Sequence, residues 1–343
     1  HRRNSILGGG AGWDDEEDAE KGFMSFVRAD GRIPTPADTC GASSRRFLHR
    51  VVANIPRVSS LYGKNMRGMF GVDSAECYLI GADFTSLEAM EEAHYTYKYA
   101  GGQEYGSSLT KEKPNSVHCV NSRLMGVSRD EAKMVKYLLG YGGQIPKLQK
   151  ATNWSPTKSK QVYNDFWEAA KPLKLLIDNL TKYWETAGNK EFVLGIDKSR
   201  IRTRSKHSLL NNLLQSAGAI CAKRQMVIFD NKIKQAGLFV DFFKEDWRSR
   251  PYVQQLIGYH DELQVEVTKS LVEFKKLPSK EEAQKAKRPI DGDIIESNGA
   301  YFIPYSLVGK LLKEAAEETS RYYNMHVTLG MDYAVHYNWA GTH

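Results

Sequence analysis

The chain has 343 residues, 41% of them hydrophobic and 26% charged, with a net charge of +7, which is ordinary for a soluble globular protein of two or three domains and compatible with a polyanionic partner. No run of eighteen apolar residues occurs, so no membrane-spanning helix and no membrane partner are expected. The opening HRRNSILGGG lacks the apolar stretch of a signal peptide, and four scattered cysteines, Cys40, Cys77, Cys119 and Cys221, form no C-x-x-C, which excludes a disulfide framework or zinc site and fits a reducing cytosol.

The chain does not begin with Met, so a processed or truncated product is expected. Residues 1–22 join a glycine run to WDDEEDAE and read as a mobile or peripheral segment. Residues 23–70 are irregular and Arg-rich. ECYLIGADF, 76–84, is a short apolar run without helical period and predicts a central strand. TSLEAMEEAHYTYKYAGG follows as a helix closed by glycines, with Thr85 to Glu88 as a capping box. A second box, Ser128 and Glu131, opens a helix over 128–141. The stretch from 157 to 188 predicts two helices divided near Pro172. FVLGIDKSRIRTRS predicts a hairpin, and LLNNLLQSAGAICAKRQMVIFDNKIKQAG a long helix with small residues at its middle. IGYHDELQVEV, 257–267, predicts paired strands interrupted by His260, Asp261 and Glu262. Residues 269–300 are Lys-rich and predict loop; a helix over 306–323 and a last strand follow.

Three stretches could carry chemistry. Asp83 ends an apolar strand, where an ionised carboxylate needs compensation. It could cap a helix or be a satisfied buried acid, but Asp261 stands at the end of another strand. Two carboxylates converging from separate strands can hold two divalent cations about 3.5–4 Å apart, and oxygen donors with retained water suit Mg²⁺. The helix over 128–141 adds Arg129, Lys133, Tyr137 and Tyr141 at every fourth position. Each step drifts by only about 40°, so the first three share a face. That face suits a triphosphate with a base stacked beyond it, or it is a solvated basic stripe beside packing aromatics. Glu88 is explained by its capping box, and His118 reads equally as a loop histidine.

Together these stretches resemble family A DNA polymerases, the phage replicative members above all. The family's Asp-x-x-x-x-Glu motif matches Asp83 to Glu88, and its following His matches His94. Its R-x-x-x-K-x-x-x-[FY]-G-x-x-Y-G motif matches Arg129, Lys133, Tyr137, Tyr141 and Gly142, with Leu138 in place of the first glycine. Its His-Asp-Glu matches His260, Asp261 and Glu262. HSLLNNLLQSAGA (207–219), GIDKSRIRTRS, NIPRVSSLYGKNMRGMF (54–70) and the terminal NWAGTH, with Trp339 and His343, look familial as well. The family's T-G-R is matched loosely by Ser44, Arg45 and Arg46, with His49 following, at a spacing about two residues short. The resemblance covers about 40–343, with an insertion near 270–300.

The resemblance implies an α/β right-hand fold: an antiparallel palm sheet from 23–110 and 191–343, with helical fingers from 111–190. It implies template-directed DNA synthesis from dNTPs on primer-template DNA, with catalytic carboxylates Asp83, Asp261 and Glu262. Two Mg²⁺ ions would be held by Asp83, the Phe84 backbone carbonyl and Asp261, while Glu262 supports the site. Glu88, His118, Arg129, Lys133 and Tyr137 would bind the dNTP. Arg46, Tyr141, Arg202, Lys206, Asn211, Gln215 and His260 would contact DNA. A thumb and a 3′–5′ exonuclease have no counterpart in these residues, so a second chain carrying them is expected to dock near 23–60. The setting would be a host cytoplasm, with virion association left open. A single-subunit RNA polymerase is disfavoured by Glu88, Tyr137 and Glu262, and a catalytically inactive DNA-binding or assembly subunit by the full set of catalytic residue types.

Overall fold

The computed structural model describes residues 22–52, 55–111, 115–241, 249–279, 281–282, 295–297 and 299–342. Most of the expected mobile N-terminal segment, much of the 270–300 insertion, and His343 therefore lie outside the described residues.

Alternation along the apolar strands builds the sheet on which everything else rests. Strands β3 (Cys77–Phe84), β6 (Val253–Tyr259), β7 (Glu262–Thr268) and β11 (Met331–His336) form an antiparallel sheet in the order β11-β3-β7-β6. On one face Ile80, Ala82, Phe84, Leu263, Val265 and Val267 pack against two helices, α9 (Leu209–Gln235) and α10 (Leu307–Tyr322). The small residues noted in the middle of α9 serve close approach: a Cβ on Gly218 would meet the Leu87 side chain at 3.2 Å. The opposite face differs. There β7 presents Glu262, Gln264 and Glu266, all buried, beneath Leu79, Trp339 and the segment containing Phe23, Val52, Ile55 and Met66.

A second core is wholly helical. It gathers α2 (Leu87–Thr96), α3 (Gly102–Thr110), α4 (Val117–Met125), α5 (Arg129–Gly140), α6 (Ile145–Thr152), α7 (Pro156–Ala169) and α8 (Lys171–Glu185). Val135, Leu139, Leu148, Phe166 and Leu173 lie at its centre, joined by Leu210, Leu213 and Leu214 of α9. The box at Ser128 and Glu131 forms as expected: Ser128 N–H donates to Glu131 Oε2 at 2.7 Å and Glu131 N–H to Ser128 Oγ at 3.2 Å. Pro172 sits in the first turn of α8, where its missing N–H costs nothing, and so divides α7 from α8. The expected hairpin is β4 (Phe192–Leu194) with β5 (Arg200–Arg202). No helix of the described residues is long and apolar enough to cross a membrane.

Two expectations are corrected. The box at Thr85 to Glu88 does not form: Ser86 precedes α2 with φ 54 and caps nothing with its side chain, and Thr85 Oγ1 instead donates to Asp332 Oδ2 at 3.4 Å. Glu88 is thereby released from a capping role. The Lys-rich stretch is also not all loop. Strands β8 (Val272–Leu277) and β9 (Ile295–Ser297) flank β10 (Ala300–Ser306) in a separate antiparallel sheet. Lysine there lies over aromatic rings, with Lys275 Nζ 3.5 Å from the Tyr305 centroid, so positive charge and strand coexist.

Glu91, on α2, is fully buried in this framework. Neither carboxyl oxygen has a hydrogen-bond acceptor or donor within ordinary geometry, although the Cys221 thiol is close. Burial pushes its carboxyl up to about 8. Between pH 4.5, its ordinary value, and about 8 the folded chain keeps a proton that the unfolded chain releases. Stability contributed by this group is thus greatest at low pH and falls as pH rises through that window. Glu91→Met removes the titration; thermal melts should show it stabilised relative to the parent at pH 8, with the gain shrinking toward pH 5.

Candidate active site

β6 ends at Tyr259 and β7 begins at Glu262, so His260 and Asp261 form a two-residue hairpin turn closed by the Tyr259–Glu262 pair. His260 takes φ 60 at a turn position that glycine ordinarily fills. Such a conformation costs roughly 1–3 kcal/mol and persists only where the surroundings fix it. Here they do. The Tyr259 hydroxyl accepts from the Ile55 N–H at 3.0 Å, and its ring lies 5.2 Å from Trp339 and 4.5 Å from His260.

Glu262 anchors the hairpin from below. Trp339 Nε1 donates to Glu262 Oε1 at 2.6 Å, Gln264 Nε2 donates to the same oxygen, and Arg67 Nη1 lies 3.4 Å from Oε2. The Arg67 guanidinium also covers the Trp339 ring at 4.6 Å. Glu262, expected among the catalytic carboxylates, is thus turned into the sheet, where its neighbours offset the cost of burying it. Asp261, one residue earlier, is exposed.

Pairing register brings Asp83 to the same end of the sheet. Asp83 faces Glu262 on one side and Asp332 on the other, and the Phe84 N–H donates to the Asp261 carbonyl at 3.3 Å. Two exposed carboxylates from separate strands therefore adjoin, with the Phe84 peptide beside them. Among the described residues no cluster of three or more His, Cys, Asp or Glu is arranged to hold a metal. A pair of carboxylates is nevertheless the donor set Mg²⁺ uses when substrate phosphates and water complete its shell, so the residues fit that ion.

Beside the hairpin opens a cavity of about 770 Å³. Its lining carries both signs of charge. Arg129, Lys133 and Lys136 of α5, with His118 of α4 and Lys111, share it with Glu88 and Glu92 of α2 and Asp261. Tyr137 and Tyr141 stand with ring centroids 6.1 Å apart at the same cavity. His118 Nδ1 and Arg129 Nε are buried without a hydrogen-bond partner, which marks the cavity as a place where polar groups are left unsatisfied by the protein. Burial, then the cations of Lys136, Arg129 and Lys133, lower His118 to about 4, so its imidazole is neutral at physiological pH. Burial raises the Glu88 carboxyl, with Glu92 and Asp261 pushing the same way and Lys136 and Arg46 opposing.

The cavity thus unites Glu88, His118, Arg129, Lys133, Tyr137, Tyr141 and Asp261. Arg46 acts electrostatically on both Glu88 and His260. Asn211 and Gln215 lie on α9, whose Leu210 and Leu214 line the cavity. Arg202 and Lys206 do not line it, and the Lys206 ammonium is 3.9 Å from Glu185. His94 packs near the far end of α2, where its Nδ1 accepts from the His326 N–H at 3.2 Å.

The model of DNA polymerase family A matches residues 20–290. The chain belongs to that family. It is 26% identical to the DNA-directed DNA polymerase of Enterobacteria phage T3, an alignment covering 75% of this chain and 38% of that protein. It is equally 26% identical to the DNA-directed DNA polymerase of Escherichia phage T7, over 72% of this chain and 37% of that one. The chain therefore spans well under half the length of these curated relatives. Among solved structures, the POL domain of Pol1 from M. smegmatis, in complex with DNA primer-template and dNTP, superposes with a TM-score of 0.67 at 19% identity, over 93% of this chain and 50% of that one.

Two features of this family A member escape a sequence reading. Lys136 and Glu92 line the cavity as a buried ion pair, and Arg67 supports the hairpin from 195 residues away. A lysine on the face shared with Ala132, Val135 and Leu139 was the signal for the first; nothing local marks the second. Arg67→Met leaves the buried Glu262 carboxylate short of its cation. Urea unfolding should show a loss of about 3–5 kcal/mol, the usual cost of breaking one side of a buried pair.

Proposed function

We propose that this chain carries the polymerising centre of a phage-type, DNA-directed DNA polymerase. It would add deoxynucleotides from dNTPs to the 3′-hydroxyl of a primer paired with its template, using two Mg²⁺ ions. The observation that carries this reading is a single cavity that brings Arg129 and Lys133 of α5 and the neutral His118 together with Glu88 of α2 and Asp261 of the hairpin turn. The names of the phage relatives and the primer-template and dNTP bound by the structural relative support it. In this reading the sheet and its two helices are the palm, and the helices between 111 and 190 the fingers. Further polypeptide, on this chain or a second one, would complete the grip on duplex DNA.

Arg129 and Lys133 would bind the triphosphate, with bidentate geometry available to the arginine. His118, being neutral, would donate a hydrogen bond to a phosphate oxygen without adding a cation. Tyr137, 40% exposed, offers its ring to the incoming base or sugar, and Tyr141 closes the template end. Glu88 would exclude a ribose 2′-hydroxyl by its bulk. Asp83, Asp261 and the Phe84 carbonyl would hold Mg²⁺, with Glu262 keeping the turn in place. When bound, the metal lowers the pKa of the primer hydroxyl and balances charge on the triphosphate. The hydroxyl attacks the α-phosphate, and pyrophosphate leaves along the α5 cations. Arg46, His260, Arg202, Lys206, Asn211 and Gln215 would track primer-template, chiefly through its backbone and minor groove.

Asp83→Asn and Asp261→Asn should each abolish primer extension with Mg²⁺ while DNA affinity, set mostly by phosphate contacts, stays nearly unchanged. Extension by either variant at the parental rate would remove the two-metal reading.

A further inference from the structure

Lys136 lies on the buried face of α5 and is 8% exposed. Its Nζ is 2.9 Å from Glu92 Oε2, and the other oxygen of Glu92 accepts from the Tyr105 hydroxyl at 2.5 Å. The cluster ties α5 to α2 and α3. A buried ion pair is a poor source of stability, because apolar residues of similar volume usually serve as well or better. Its location suggests what else it does. Lys136 and Glu92 both line the cavity, Glu88 stands one helical turn before Glu92 on α2, and Tyr137 follows Lys136 directly, with the ammonium 6.0 Å from its ring.

We propose that Lys136, clamped by Glu92 and Tyr105, is a positioning residue that holds Glu88 over the sugar of the incoming nucleotide and so sets the selection of deoxyribo- over ribonucleotides. This rests on the polymerase reading above. Glu88 is half-buried and shares the cavity with two other carboxylates, Glu92 and Asp261. A carboxylate so placed is drawn out toward water unless a cation holds it. Glu88 lies one turn of α2 before Glu92, so the ammonium that pairs with Glu92 at 2.9 Å is within electrostatic reach of it, whereas Arg46 is exposed. With Lys136 gone, Glu88 turns outward and leaves room for a 2′-hydroxyl. The same loss frees Tyr137 to shift, because the ammonium beside its ring is removed.

The test is single-nucleotide incorporation by the full chain on primer-template DNA with Mg²⁺, read as the ratio of kcat/KM for a dNTP to that for the matching rNTP. Lys136→Met should lower the ratio by about tenfold, the effect of a single lost charge interaction of ordinary size. It should also lower the melting temperature, since Glu92 is left buried and unpaired. Lys136→Arg keeps a cation beside Glu92 and should hold the ratio near the parental value even where the exchange lowers the melting temperature, which separates positioning from stability. Glu88→Ala should lower the ratio as well, and Lys136→Met should then add nothing further. A parental ratio in Lys136→Met, or an undiminished Lys136→Met effect on the Glu88→Ala background, overturns the inference while leaving the polymerase reading intact. A parent chain that incorporates neither nucleotide overturns that reading and this inference with it.

Discussion

Glu262 is a carboxylate buried under a β-hairpin, received there by the Trp339 indole N–H, the Gln264 amide and the Arg67 guanidinium. The arrangement at the site depends on it. An uncompensated carboxylate would not stay in that position, and the hairpin would lose the contact that fixes its height above the sheet. With Glu262 satisfied, the next residue back must sit in the turn, and His260 is carried into a left-handed conformation it would not choose alone. Asp261 is then presented to solvent beside Asp83. The contacts come from three distant parts of the chain: residue 67, the hairpin itself and residue 339. Placing one exposed carboxylate thus requires the segment around residue 67, the sheet and the C-terminal turn to be docked together.

The cavity follows a second constraint, the joining of two cores. Its cations Arg129, Lys133 and Lys136 stand on α5, which shares the helical core with α2, and one of them, Lys136, pairs directly with Glu92; Asp83 and Asp261 belong to the end of the sheet. Helix α9 contributes to both, through Leu210 and Leu214 on one side and Phe229 and Ile233 on the other. One 27-residue helix thus braces the helices that carry the cations against the sheet end that carries Asp83 and Asp261. His118 Nδ1 and Arg129 Nε are buried at this cavity without a hydrogen-bond partner, a cost that the surrounding protein does not offset.

Much of this was legible in the sequence, for identifiable reasons. β3 reads as a strand because Ile80, Ala82 and Phe84 meet one core while Leu79 meets another, leaving a continuous apolar run. α5 reads as a helix because its box, its apolar face and its cationic face all agree. Failures came where a local rule met a stronger neighbour. Thr85 to Glu88 satisfies the pattern of a capping box, yet the chain leaves β3 through a left-handed Ser86 and Thr85 bonds to β11 instead. The lysines of β8 hid a strand because the Lys275 ammonium lies over Tyr305, a ring that only the fold brings near.

The same limit explains why contiguous motif residues part company. His260, Asp261 and Glu262 read as one chemical unit, but a two-residue turn and the alternation of β7 send them to three environments. One is strained in the turn, one is exposed at the cavity and one is buried in the sheet. Lys136 and Tyr137 divide in the same way on α5, since adjacent helical positions are about 100° apart: the lysine goes to the buried pair with Glu92 and the tyrosine faces the opening. In both cases the more exposed residue has as its neighbour in sequence a charged residue that is itself buried. Adjacency in the chain then acts as the mechanical link, because fixing one backbone position constrains the next through the planar peptide between them. Buried charge beneath an exposed functional residue is, in this chain, the means by which a tolerant helix or turn is made to present one side chain in one place.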